Sequence, residues 1–90
     1  MRALSEAIRL FGSQAALGAA TGYTQNAVYQ AARRGRVTPR MALAIERASR
    51  RKGHPIKCEQ LCPGLSRRQL EQFVEVSRRL ERRSNNGNGR

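Results

Sequence analysis

Residues 13–35, SQAALGAATGYTQNAVYQAARRG, decide how the rest of the chain is read. The first half is small and apolar, with a hydroxyl at Ser13 in front and Gly22 behind. That pattern predicts a short helix capped by Ser13 and stopped by a left-handed glycine. Thr24 follows as the cap of a second helix, in which Val28 and Ala31 share one face while Gln25, Asn26, Tyr29, Gln30 and Arg33 fall on the others. Two short helices about three residues apart, with glycine between them, form the helix-turn-helix unit, whose second helix lies in the major groove of DNA.

The outward chemistry of that second helix is informative. A helix meant only for packing or solubility presents Lys and Glu, which favour helix and water together. Here the outward set is two glutamines, an asparagine, a tyrosine and an arginine. Amides pair with adenine and guanidinium with guanine, each such pair giving roughly 1–3 kcal/mol of discrimination.

Composition points the same way. Ninety residues suit one domain. Aromatic residues are scarce, and the Ala, Leu, Ile and Val content recurs at helical spacing, so the fold class is all-α. Eighteen Lys and Arg against six Asp and Glu give a net charge of +12. Such an excess implies a polyanionic partner, bound with strong salt dependence through counterion release. Anionic membrane is the other polyanion to weigh. No apolar run approaches the roughly 20 residues that span a bilayer, and MRALSEAIRLFG lacks a signal-peptide core, so no membrane role and a cytoplasmic location are expected.

Outward from the central stretch, Leu4, Ile8 and Phe11 predict an amphipathic helix over 3–11 that stops at Gly12. Leu4, Ile8, Phe11, Leu17, Val28 and Ala31 are then the minimum core of a three-helix unit. Downstream, Thr38 as N-cap with Pro39 at the first helical position starts a fourth helix. Its Met41, Ile45 and Ala48 turn inward, and it ends at Gly53. Glu46 and Arg47 on this helix are expected to be a solvated or intrahelical pair. Residues 54–64, HPIKCEQLCPG, leave room for one turn of helix or a very short strand, of which a helical turn at 57–61 is favoured, with Ile56 and Leu61 on the core.

Ser66 and Gln69 form a capping box and Leu65 and Leu70 a hydrophobic staple at the start of a C-terminal amphipathic helix that runs to about Arg83. Its inward stripe is Leu70, Phe73, Val74, Ser77 and Leu80. Arg67 and Arg68 oppose the helix dipole at its start. The expected organisation is a helix-turn-helix domain over 1–65, this helix over 66–83, and a polar disordered tail over 84–90. His54, Cys58 and Cys62 offer three ligand types with no fourth nearby, short of the paired C-x-x-C pattern. No metal or cofactor is expected, and the cysteines read as small hydrophobes kept as thiols.

Over residues 3–65 this order of parts resembles the Cro/YdaS-like group of phage and prophage helix-turn-helix regulators. The resemblance is carried by Gln14, the small residues 15–20, Gly22, the inward Val28, RRGR at 33–36 and AIERA at 44–48. It implies a compact bundle like that of lambda repressor and Cro, with four to five short helices plus the C-terminal helix. It also implies a repressor that binds an inverted-repeat operator as a dimer, its reading helices roughly 34 Å apart. Carried over position by position, base contacts fall to Thr24, Gln25, Asn26, Tyr29, Gln30 and Arg33. Phosphate contacts fall to Gln14, Arg34 and Arg36, with Arg40 as an extra.

Three positions depart from the family pattern. Gly18 replaces the usual alanine, Thr21 a leucine, and Ala31 a larger apolar residue, which predicts a trimmed core. For the dimer, the Leu70, Phe73, Val74, Leu80 stripe and the segment from Ile56 to Leu61 are both candidates.

Two rival functions fit parts of the chain. The C-terminal stripe could bind another protein, as in the antitoxin-like half of a toxin pair, or it could simply close the core. The arginine-rich ends would suffice for a basic RNA-binding or nucleoid module, although no platform of stacking aromatics is present. An enzyme is not expected. One histidine, scattered acids and no glycine-rich phosphate loop leave no nucleophile, base and stabiliser together.

Overall fold

A computed structural model describes residues 1–88, with side chains as far as Glu81. Six helices follow in order: α1 Arg2–Phe11, α2 Gln14–Thr21, α3 Gln25–Arg34, α4 Pro39–Arg51, α5 Cys58–Leu61 and α6 Arg67–Asn88. The described chain is all-α, with no strand among the described residues.

Local chemistry sets most of these boundaries. The hydroxyls of Ser13, Thr24 and Thr38 accept from the backbone N–H three residues on, at 3.0, 3.0 and 3.2 Å. Each supplies a partner to an amide that the first helical turn leaves free. Gly22 ends α2 in the left-handed region at φ 83°, where a side chain would clash. At the start of α6 the capping box is closed in both directions. Ser66 N–H donates to Gln69 Oε1 at 2.8 Å, and Gln69 N–H donates to Ser66 Oγ at 3.2 Å. The expected turn at 57–61 is α5, one residue shorter at its start. Helix α6 runs to Asn88, past the Arg83 end expected from its apolar pattern. The expected disorder of the tail at residues 89 and 90 lies outside the described residues.

The core gathers Leu4 and Ala7 of α1, Leu17 of α2, Val28 and Ala31 of α3, Met41, Ala42 and Ile45 of α4, and Leu61 of α5. Leu70 of α6 and Ile56 complete it, while Ile8 and Phe11 are half-buried against it. Ser49 ties the end of α4 to the segment after it. Its hydroxyl donates to the Glu46 carbonyl at 3.0 Å and accepts from Ile56 N–H at 2.8 Å, which seats Ile56 in the core.

The expected trimming of the core takes a different form at each position. Gly18 is not a gap: a Cβ there would lie 2.5 Å from the Tyr23 carbonyl oxygen, and Tyr23 N–H donates to the Gly18 carbonyl at 2.8 Å. Absence of a side chain is what lets α2 lie against the entry to α3. Thr21 satisfies its half-buried hydroxyl by donating to the Leu17 carbonyl at 2.8 Å. Space is left beside Ala31, in a groove of about 430 Å³ that Val37 and Met41 also line, and beside Thr21, in one of about 290 Å³.

Two further expectations are corrected. Glu46 is not solvated: its residue is 3% exposed, and its carboxylate pairs with Arg67 of α6 and, at 3.5 Å, with Arg50. Arg67 therefore begins α6 against the dipole because a buried carboxylate waits for it there. The stripe of α6 is also only partly inward. Leu70 is buried and Val74 half-buried, but Phe73 and Leu80 are 56% and 58% exposed and Ser77 is exposed too, as is Val76, outside the stripe, at 53%.

Candidate nucleic-acid interface

Helix α3 carries the candidate base-reading groups, and α2 holds it in place. Val28 and Ala31 face inward onto the bundle, and by helical period the residues between them face out. Thr24, Gln25, Asn26, Tyr29 and Arg33 are exposed, and Gln30 is half-buried at the rim of the groove beside Ala31. Nothing among the described residues covers the five exposed groups. Thr24 has two roles open to it, because its oxygen caps α3 while its hydroxyl proton stays free to donate.

Tyr29 is 43% exposed, and its hydroxyl accepts from Arg33 Nη1 at 3.2 Å, one turn further along. This bond links the phenol and guanidinium on one face and limits how far Arg33 swings, so the two side chains present themselves as a unit.

The candidate phosphate contacts surround α3. Arg34, the last residue of α3, and Arg36, in the loop that follows, are exposed, with no ion pair among the described residues. Gln14 is half-buried at the first position of α2, beside the Ser13 cap. Arg40 differs from the others. One of its guanidinium nitrogens lies 2.7 Å from Glu81 Oε1 of α6, so the structure gives this arginine a carboxylate in place of an open anion site. That neighbour holds the Glu81 carboxyl below the usual carboxylate range, and the hydrogen bond to Glu81 raises Arg40 in turn. The acid was not identifiable from the sequence, where positions 40 and 81 share no local pattern. Tyr23, half-buried between α2 and α3, has its phenol pushed up by burial despite the nearby Arg40 guanidinium.

The basic end of α4 has structural employment. Arg50 pairs with Glu46, and Lys52 Nζ lies 5.2 Å from the centre of the Phe11 ring. His54 is exposed and stands apart from the one group of possible metal-binding side chains among the described residues, which is Glu46, Cys58 and Glu59 within 4.8 Å. Two guanidinium groups already neutralise Glu46 in that group. Burial, with the adjoining Glu59 and Glu46 carboxylates, pushes the Cys58 thiol up to about 12, so it stays protonated and is a poor ligand. Cys62 donates its thiol to the Val37 carbonyl at 3.0 Å, which fastens α5 to the loop after α3.

Among the described residues no helix is long and apolar enough to cross a membrane. Comparison of the chain with family profiles, with curated proteins and with solved structures finds no match in any of the three.

Proposed function

We propose that this chain is a sequence-specific double-stranded DNA-binding transcriptional regulator. In this reading it is a Cro-like repressor that acts as a dimer on an inverted-repeat operator, with α3 in the major groove. The observation that carries the reading is the surface of α3. Uncovered amide, hydroxyl and guanidinium groups at 24, 25, 26, 29 and 33, with Gln30 half-open beside them, rise from a helix that α2 braces from behind. Those are the groups that read base edges, and a helix of this width fits the major groove. The free Arg34 and Arg36 at its end, within a chain of net charge +12, supply sequence-independent attraction to phosphate.

Selection of bound duplexes from a random pool tests this directly. The expected result is a short motif with two-fold symmetry, and the bound fraction should fall steeply with added salt. A pool that remains random after selection, or structured RNA that outcompetes every duplex at matched salt, would rule the reading out.

A further inference from the structure

We infer that the groove between α3 and the start of α4 binds a small organic acid, a short hydrocarbon body with one carboxylate, and that the bound acid keeps α3 off DNA. The second half rests on the DNA-binding reading, and the first stands without it. Helix α3 supplies two adjoining rows to this groove, Ala27 with Ala31 and Gln30 with Arg34, the members of each row one turn apart. The two alanines leave a trench that longer side chains would fill. Val37 and Met41 complete an apolar floor, and Arg36 lines the groove from the loop after α3. Its volume of about 430 Å³ falls within the range of small-molecule sites, roughly 300–1,000 Å³.

The lining sets the chemistry of the occupant. Ala31, Val37 and Met41 are buried and Ala27 is half-buried, so the floor offers hydrocarbon and no ionic partner. A sugar or nucleotide would leave polar groups unmatched there. At the rim the ionised groups are the guanidinium groups of Arg34 and Arg36, both exposed and without an ion pair among the described residues. Among the described residues no carboxylate lines the groove. A surface that is apolar below and cationic at the edge complements a molecule that is apolar at one end and anionic at the other. Guanidinium takes a carboxylate through two parallel hydrogen bonds, and the half-buried Gln30 adds an amide donor at the rim. Gln30, Arg34 and Arg36 are also three of the candidate DNA contacts. An acid held here occupies both cations and obstructs Gln30, so acid and duplex compete for one surface.

Two-dimensional NMR of the full chain without DNA is the primary test, with octanoate as the probe and octanol and octylamine as its neutral and cationic counterparts. Octanoate should shift the amides of Ala31, Arg36 and Val37 and the Met41 methyl together, saturating in the millimolar range expected of so small a ligand. Octanol should bind roughly fivefold more weakly or worse, and octylamine should leave these signals in place. Arg36→Ala should weaken octanoate by about five- to tenfold and leave octanol unchanged. Ala31→Leu, which fills the floor, should abolish the response to both. A circular dichroism melt shows whether that bundle is intact, and Arg36→Ala, at an exposed position, tests the site independently. With a duplex recovered by selection, octanoate at ten times its dissociation constant should weaken DNA binding about tenfold relative to acetate at the same ionic strength.

Absence of a saturable response overturns the inference, as does octanol bound as tightly as octanoate, or a folded Ala31→Leu chain that still responds. Octanoate seated in the groove with no loss of duplex affinity overturns its second half. The two proposals fail separately. A chain that takes octanoate here but selects no DNA motif overturns the function and leaves the site, and one that selects a motif and ignores octanoate does the reverse.

Discussion

At the scale of single residues, Gly18 sets the distance between α2 and α3. Its missing side chain leaves room for the Tyr23 carbonyl, and its own carbonyl takes the Tyr23 amide. A methyl group there meets rigid backbone, which cannot yield as a flexible side chain would. Gly18→Ala should therefore cost about 1–3 kcal/mol despite its better helix propensity, measured as a lower midpoint in urea unfolding. On α3 the expected effects are on recognition instead. Asn26→Ala or Gln30→Ala should relax preference at one operator base pair, by roughly 1–3 kcal/mol in competition binding. Arg36→Ala should weaken binding on every duplex and reduce the salt slope by about one. A uniform loss for Asn26→Ala, with no change in preferred sequence, would remove that residue from the base-reading set.

At the scale of elements, the fastening of α6 is the feature to probe. Leu70 and Val74 give it a short apolar footing, and ion pairs to α4 clasp it near each end of the described contact, Arg67 with Glu46 and Glu81 with Arg40. Arg67→Ala leaves a buried carboxylate with the more exposed Arg50 as its remaining cationic partner, at an expected cost of about 1–3 kcal/mol. Glu46→Gln combined with Arg67→Met should recover most of that loss, because no uncompensated charge then stays inside. Thermal unfolding of the three variants measures both steps.

These elements also mark what was legible in advance. Hydroxyl caps, the Ser66 and Gln69 box and the stop at Gly22 are chemistry among near neighbours in the chain, so helix starts and stops could be read from residue order. The same holds for which side chains α3 turns outward, since Val28 and Ala31 fix its phase. Burial of Glu46 could not be read that way, because it depends on where the start of α6 lands. The dipole-opposing Arg67 was the available sign of a partner elsewhere. Amphipathic spacing likewise marked Phe73 and Leu80 of α6 without saying that they would remain uncovered, and it passed over Val76.

At the scale of the whole molecule, two thiols and a phenol that titrate in the alkaline range hold their protons more tightly than usual. Burial raises the Cys58 thiol to about 12 and pushes up Cys62 and Tyr23 as well. The unfolded chain releases such protons near the ordinary values, about 8.5 for a thiol and 10 for a phenol. The native form keeps them, so as pH rises unfolding becomes coupled to proton loss. Stability should be at its full value below about pH 8.5 and decline as pH climbs toward the native Cys58 value. Cys58→Ala should flatten the alkaline part of the curve while lowering stability at neutral pH through the space it opens. Melting temperatures across that range check both.

In the proposed DNA complex, were Arg40 to exchange Glu81 for a phosphate, this pair would extend the same linkage. An arginine drawn to a phosphate leaves its carboxylate beside a second anion, and the carboxyl that Arg40 had kept acidic becomes more basic on the spot. Loading onto a duplex then takes up hydrogen ions in mildly acidic buffer, and affinity climbs as pH drops toward the carboxylate range. Glu81→Gln should bind roughly two- to five-fold tighter at neutral pH and lose that acid-linked gain. Titrations in buffers of different ionisation enthalpy would register the uptake as heat, and a signal independent of buffer would place Arg40 outside the contact.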